Sequence, residues 1–93
     1  MPEMHFHIRW PDGRREACYS PSLVIKEHLT VGQAYPLAEF VARSRTALVI
    51  ASDRVAARYG FPCSLAMSQL ARIEAGAGSQ APDGDVLVER FEG

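Results

Sequence analysis

The sequence predicts an α+β domain. A small three-stranded antiparallel sheet, made of an N-terminal hairpin and a C-terminal strand, is packed on one face by a long central helix and one or two shorter helices. Three observations carry this. Met4 to Trp10 alternates apolar and polar residues and runs through a Pro-Asp-Gly turn into a second short run. Pro36 to Gly60 repeats apolar residues at steps of three and four. Val86 to Phe91 returns to strand chemistry after a second Pro-Asp-Gly. Strands, then helices, then a strand is the order of folds that set helices on one side of an antiparallel sheet. The chain has 93 residues, which suits a single domain spanning 1–93.

In the first strand Met4, Phe6, Ile8 and Trp10 share one face, and Glu3, His5, His7 and Arg9 share the other. That period of two marks a half-buried strand. Pro11-Asp12-Gly13 supplies a turn, and Arg15 to Tyr19 pairs back as a hairpin, with Ala17 and Tyr19 opposite Glu16 and Cys18. Ser20 can then cap a short helix over Leu23 to Leu29, with Pro21 in the first position. Leu23-Val24-Ile25 also fits a strand; the Ser-Pro start favours the helix. Thr30 to Tyr35 reads as a loop.

In the long helix Leu37, Phe40, Val41, Ala47, Leu48, Ala51, Val55 and Tyr59 fall on one face. Pro36 suits its first position and Gly60 its left-handed exit. At 1.5 Å per residue it is about 36 Å long, as wide as a small domain. Its centre, Ala47 to Ala51, is apolar nearly all round, so a second surface covers it: other helices or a second subunit. Cys63 to Ala75 forms the last helix, with Leu65, Ala66, Met67, Leu70 and Ile73 as its apolar side and Gly76 and Gly78 ending it. In the third strand Val86 and Val88 oppose Leu87 and Phe91, which suggests a strand inside the sheet or one covered by a partner.

Composition narrows the function. Apolar content of 47% is ordinary for a folded domain. A net charge of −1 exerts no global pull on nucleic acid or anionic lipid. The start carries no signal-peptide pattern, and no stretch approaches the ~20 apolar residues of a membrane span. The expectation is a cytoplasmic protein without membrane attachment. Two cysteines make no disulfide framework.

His5 and His7 stand two apart on a strand, so both imidazoles face one way and can bite one metal ion. Cys18 or Glu16 on the neighbouring strand would complete the set if the faces match; His28 is the remaining donor. The plain alternative is two solvated histidines, and no cofactor is expected. Cys63 begins a helix, where free N–H groups and the helix dipole favour a thiolate. It is the one catalytic candidate, with a small buried filler as its plain alternative. Helix, turn, helix over 36–75 with Arg43, Arg54, Arg58 and Arg72 invites a DNA reading, but the basic stripe is thin, so nucleic acid is not the expected partner.

Several strings stand together in order: Arg9-Trp10-Pro11-Asp12-Gly13, Cys18-Tyr19-Ser20-Pro21-Ser22-Leu23-Val24, Phe40-Val41-Ala42-Arg43-Ser44-Arg45 and Tyr59-Gly60-Phe61-Pro62-Cys63-Ser64. As a set they resemble a small bacterial family of nitrogen-starvation response proteins. The resemblance implies companionship with a nitrilase gene cluster, beside a radical-type enzyme, an acetyltransferase-like protein and a flavoprotein. It carries no catalytic residues over. Cys18, Tyr19, Ser20 and Arg43, which fall within its strings, are the candidate binding positions. The expected function is a non-enzymatic accessory or binding protein of nitrogen starvation, as a homodimer or with a protein partner from the same cluster. The alternatives are a small thiol- or metal-dependent enzyme using Cys63 or the His5/His7 face, and a DNA-binding regulator.

Overall fold

The computed structural model describes residues 3–93. The reading of the chain's start falls partly on residues 1–2, outside the described residues. Strands β1 (Met4–Arg9) and β2 (Arg15–Ser20) form the hairpin, a 3₁₀ turn covers Leu23–Glu27, and β3 (Ala34–Pro36) leads into α1 (Leu37–Tyr59). Helix α2 (Ser64–Gly78) and strand β4 (Asp85–Glu92) complete the chain. The sheet is antiparallel in the order β2-β1-β4-β3, so the last strand returns beside the first, as expected. The helices cover one face, and the molecule measures 39 × 23 × 17 Å, the long axis close to the length of α1.

The α+β class stands, with corrections. Among the described residues the sheet has four strands, not three. β3 is short and ends in Pro36, so no alternation marks it; its pairing of Tyr35 with Val86 makes it a strand. The helix read over Leu23 to Leu29 is a tighter 3₁₀ turn, capped by Ser22 rather than Ser20, with Ser22 Oγ accepting the Val24 N–H. Helix α1 begins at Leu37, and Pro36 caps it in an extended conformation. Its exit is as read: Gly60 is left-handed at φ 88° and donates its N–H to Ala56 O. Helix α2 runs through Gly76 instead of stopping there. A Cβ at Gly76 would stand 2.9 Å from the Trp10 indole, so the glycine serves close packing, not termination.

Strand β4 carries a bulge. His7 pairs with Arg90 but Ile8 with Val88, leaving Glu89 as the extra residue. The inserted residue reverses the alternation beyond it. Phe91 therefore sits opposite Phe6 and packs against the core with Val86 and Val88, not on the outer face with Leu87. That removes one of the two signs of a covered outer face.

The core joins Phe6, Ile8, Trp10 and Val88 of the sheet to Phe40, Ala47, Leu48 and Ile73 of the helices and Ile25 of the turn. Most of the apolar helix centre is covered from within: Ala47, Leu48 and Ala51 are buried, while Val49 stays exposed. Tyr59 and Leu65, read as core-facing, are exposed.

Candidate functional site

Strand register decides the histidine question. His5 lies opposite Tyr19 and His7 opposite Ala17, all on the outer face of the sheet. Phe6 lies opposite Cys18 and Ile8 opposite Glu16, on the helix side. The two faces do not match, so neither Cys18 nor Glu16 can join the histidines around a metal. Among the described residues no three His, Cys, Asp or Glu side chains gather as a ligand set. His7 instead meets Glu92, Nε2 to Oε1 at 2.9 Å, and this contact holds the Glu92 carboxyl below its ordinary value. His5 stacks edge-on with Tyr19 at 5.9 Å.

Tyr19 and Ser20 are divided by the same register. The Tyr19 hydroxyl reaches out to Glu3 Oε2 at 3.0 Å, and burial together with that carboxylate pushes the phenol up to about 12. Ser20 faces inward and is fully buried. Its Oγ donates to Ser22 O at 2.7 Å, Ser22 Oγ caps the 3₁₀ turn, and Arg54 on α1 reaches the same Ser22 oxygen at 3.3 Å. The Cys-Tyr-Ser-Pro-Ser string is thus a turn that pins β2 to α1. Arg43 ties elements together in the same way. It bonds Glu39 at 2.9 Å and His28 O at 3.0 Å, and lies over the Tyr35 ring at 5.0 Å.

The two cysteines differ sharply. Both are free thiols. Cys18 is fully buried; burial first, then the Glu16 carboxylate, raises its thiol far above the ordinary range, with Arg72 offsetting in part. Cys63 is the half-buried N-cap of α2, as the sequence placed it, and its N–H donates to Ser52 Oγ on α1 at 3.1 Å. A disulfide reagent added to native protein is expected to modify Cys63 at least about tenfold faster than Cys18, since only the thiolate reacts. Equal rates for both thiols would contradict the burial of Cys18.

The arginines of the DNA reading are each engaged within the chain. Arg72 bonds Glu16, Arg58 lies over Tyr59, and Arg43 and Arg54 clamp the loop before β3 and the 3₁₀ turn.

Two surface features were not legible as sites. The corner between α1 and α2 exposes Tyr59 at 53%, Phe61 at 64% and Leu65 at 62%. Gly60 and Pro62 turn the chain there, so Phe61 stands on an outward bend. Two shallow depressions also flank strand β2. One, of about 420 Å³, lies among His7, Arg15, Ala17, Glu89 and Arg90. The other, of about 340 Å³, lies among Arg14, Arg72, Gly76 and Ser79 on the α2 side. Glu16 borders both. Recognising them requires knowing which edge β2 presents, which one strand read alone does not reveal.

Fold and surface together define a two-layer α+β domain with a polar open sheet face and an apolar corner. Residues 5–91 match the family model described as nitrogen starvation-induced protein NitG. The chain belongs to that family, in agreement with the resemblance carried by its strings. No curated protein and no solved structure matches it. Among the described residues no helix is long and apolar enough to cross a membrane.

Proposed function

We propose that this nitrogen starvation-induced protein is a cytoplasmic accessory protein that docks a protein product of the associated nitrilase gene cluster through the Tyr59–Phe61–Leu65 corner. The observation that carries this reading is the exposure of three large apolar side chains at one bend. Leu23, Val31 and Val49 are exposed singly elsewhere, which is ordinary for a protein surface. Aromatic residues are enriched in interface cores, and tyrosine among the hot spots that carry binding energy. The three side chains offer roughly 300–400 Å², against about 800 Å² per partner in a standard interface. The corner therefore forms the apolar centre of a reversible contact, with Arg58 and the α1 surface as its polar rim.

The test compares tagged native protein with Phe61→Asp/Leu65→Asp in nitrogen-starved cells. The expected result is a stoichiometric product of the cluster, identified by mass spectrometry, that the native bait retains and the variant loses. The variant should keep its melting temperature, because both side chains are exposed. Identical partners for both baits would overturn the reading. So would loss of a native homodimer in the variant, seen by light scattering with no other partner bound, since the corner would then hold a second copy.

A further inference from the structure

We propose that the free edge of β2 accepts an acidic, extended peptide segment as an added strand. The proposal goes beyond the corner contact and rests on different residues.

Hydrogen-bond parity identifies the edge. Trp10 N–H donates to Arg14 O at 2.8 Å, so the residue pair that opens the hairpin is a bonded pair. Bonded and non-bonded pairs alternate along an antiparallel ladder. Cys18 and Glu16 therefore bond inward to β1, and Arg15, Ala17 and Tyr19 point their N–H and C=O groups away from the sheet. Tyr19 confirms this parity, because its N–H goes outward to Gln69 Oε1 on α2 at 2.9 Å. The Gln69 side-chain amide thus occupies the place a neighbouring strand's peptide would take. Among the described residues nothing comparable reaches the N–H groups of Arg15 or Ala17, both exposed residues.

The opposite edge is not equivalent. It consists of three residues and ends in Pro36, which has no N–H to offer. Proteins usually blunt their edges in this manner. Among the described residues the β2 edge has only Gln69, at one end.

Charge selects the occupant. An added strand points alternate side chains to the two sides of the sheet; on the outer side a depression runs from β2 over β1 to β4, and on the inner side another lies between the start of β2 and α2. Arg15 borders the outer one at β2, with Arg90 at its far side on β4, and Arg14 and Arg72 border the inner one. The local carboxylates are already engaged: Glu16 by Trp10 and Arg72, and Glu89 by Arg9 at 3.2 Å and Arg15 at 3.3 Å. Among the described residues Arg14, at the start of this edge, has no carboxylate within ion-pair distance. Guanidinium groups fork onto carboxylates, so the edge fits a segment rich in glutamate or aspartate. Strand addition at an edge takes affinity from main-chain bonds and selectivity from the flanking side chains.

The test uses full-length protein and a fluorescein-labelled eight-residue peptide of alternating glutamate and threonine, read by fluorescence polarisation. Saturable binding that weakens with added salt is expected. The same peptide N-methylated at alternate amides keeps its charge but cannot pair; it should bind about tenfold weaker or more weakly still. Ala17→Pro removes an outward N–H that the ladder does not use, and should weaken binding about tenfold while the melting temperature holds. Equal binding of the N-methylated peptide would overturn the proposal by showing charge attraction alone. Absence of saturable binding would also overturn it. So would concentration-dependent self-association abolished by Ala17→Pro with no peptide bound, because the edge would then take a second copy.

Discussion

Trp10→Ala is expected to lower the unfolding free energy by about 3–5 kcal/mol, a large share of the 5–15 kcal/mol available to a domain. The indole is 1% exposed, meets the Phe40 ring edge-on at 6.0 Å, and donates to Glu16 Oε1 at 3.0 Å. Truncation opens a cavity where β1 meets both helices and leaves the partly buried Glu16 with Arg72 alone at 3.5 Å. Urea titration followed by circular dichroism measures the loss. Gly76 tests the mechanism. Gly to Ala inside a helix ordinarily gains up to about 1 kcal/mol. Here the new methyl would press on the indole, so Gly76→Ala should cost about 1–3 kcal/mol. In a Trp10→Leu background the sign should reverse. A stabilising Gly76→Ala in otherwise native protein would show that the indole yields freely.

Gly84→Ala is expected to cost about 1–3 kcal/mol for a different reason. A Cβ there would stand 2.5 Å from Pro11 Cβ and 2.8 Å from Pro11 Cγ. A proline ring cannot rotate aside. The Gly84 backbone is held as well, its C=O accepting the Leu37 N–H at 3.0 Å and its N–H bonding Ala81 O at 3.1 Å. Gly13 occupies the same place in the other Pro-Asp-Gly triplet yet has nothing within 4 Å; it is needed because its φ is +90°. Gly13→Ala should therefore cost about 1–2 kcal/mol through backbone strain alone. Thermal unfolding of a double-mutant cycle separates the two. Pro11→Gly, which removes both of the contacting ring carbons, should relieve the Gly84→Ala loss and leave the Gly13→Ala loss unchanged.

The two triplets show how far the sequence could be read. Each announces a turn, because proline presets one angle and glycine permits another. That the first turn seats its proline on the glycine of the second, with Gln80 bonding Asp12 beside them, is a tertiary fact. Periodicity likewise revealed β1, β2, α1, α2 and β4. It failed at β3, where three residues ending in proline carry no period, and beyond Glu89, where a bulge reverses it. The candidate residues were legible as chemistry but not as positions. His5 and His7 share a face as spacing requires, and register alone sends Cys18 and Glu16 to the other. Cys63 was placed correctly because helix boundaries are local. The exposed corner was misread because Tyr59 and Leu65 fit the apolar pattern of helices that end before the core does.

The central pairing of β1 with β4 has a consequence for synthesis. His7 meets Glu92 across 85 residues, and among the described residues the hairpin has no sheet neighbour but β4. Until β4 leaves the ribosome, β1 carries one open side and β3 has no strand to join. The sheet closes as a late, non-local event, and such contacts fold slowly. A chain stopped before Asp85 would lack the strand that joins the hairpin to β3.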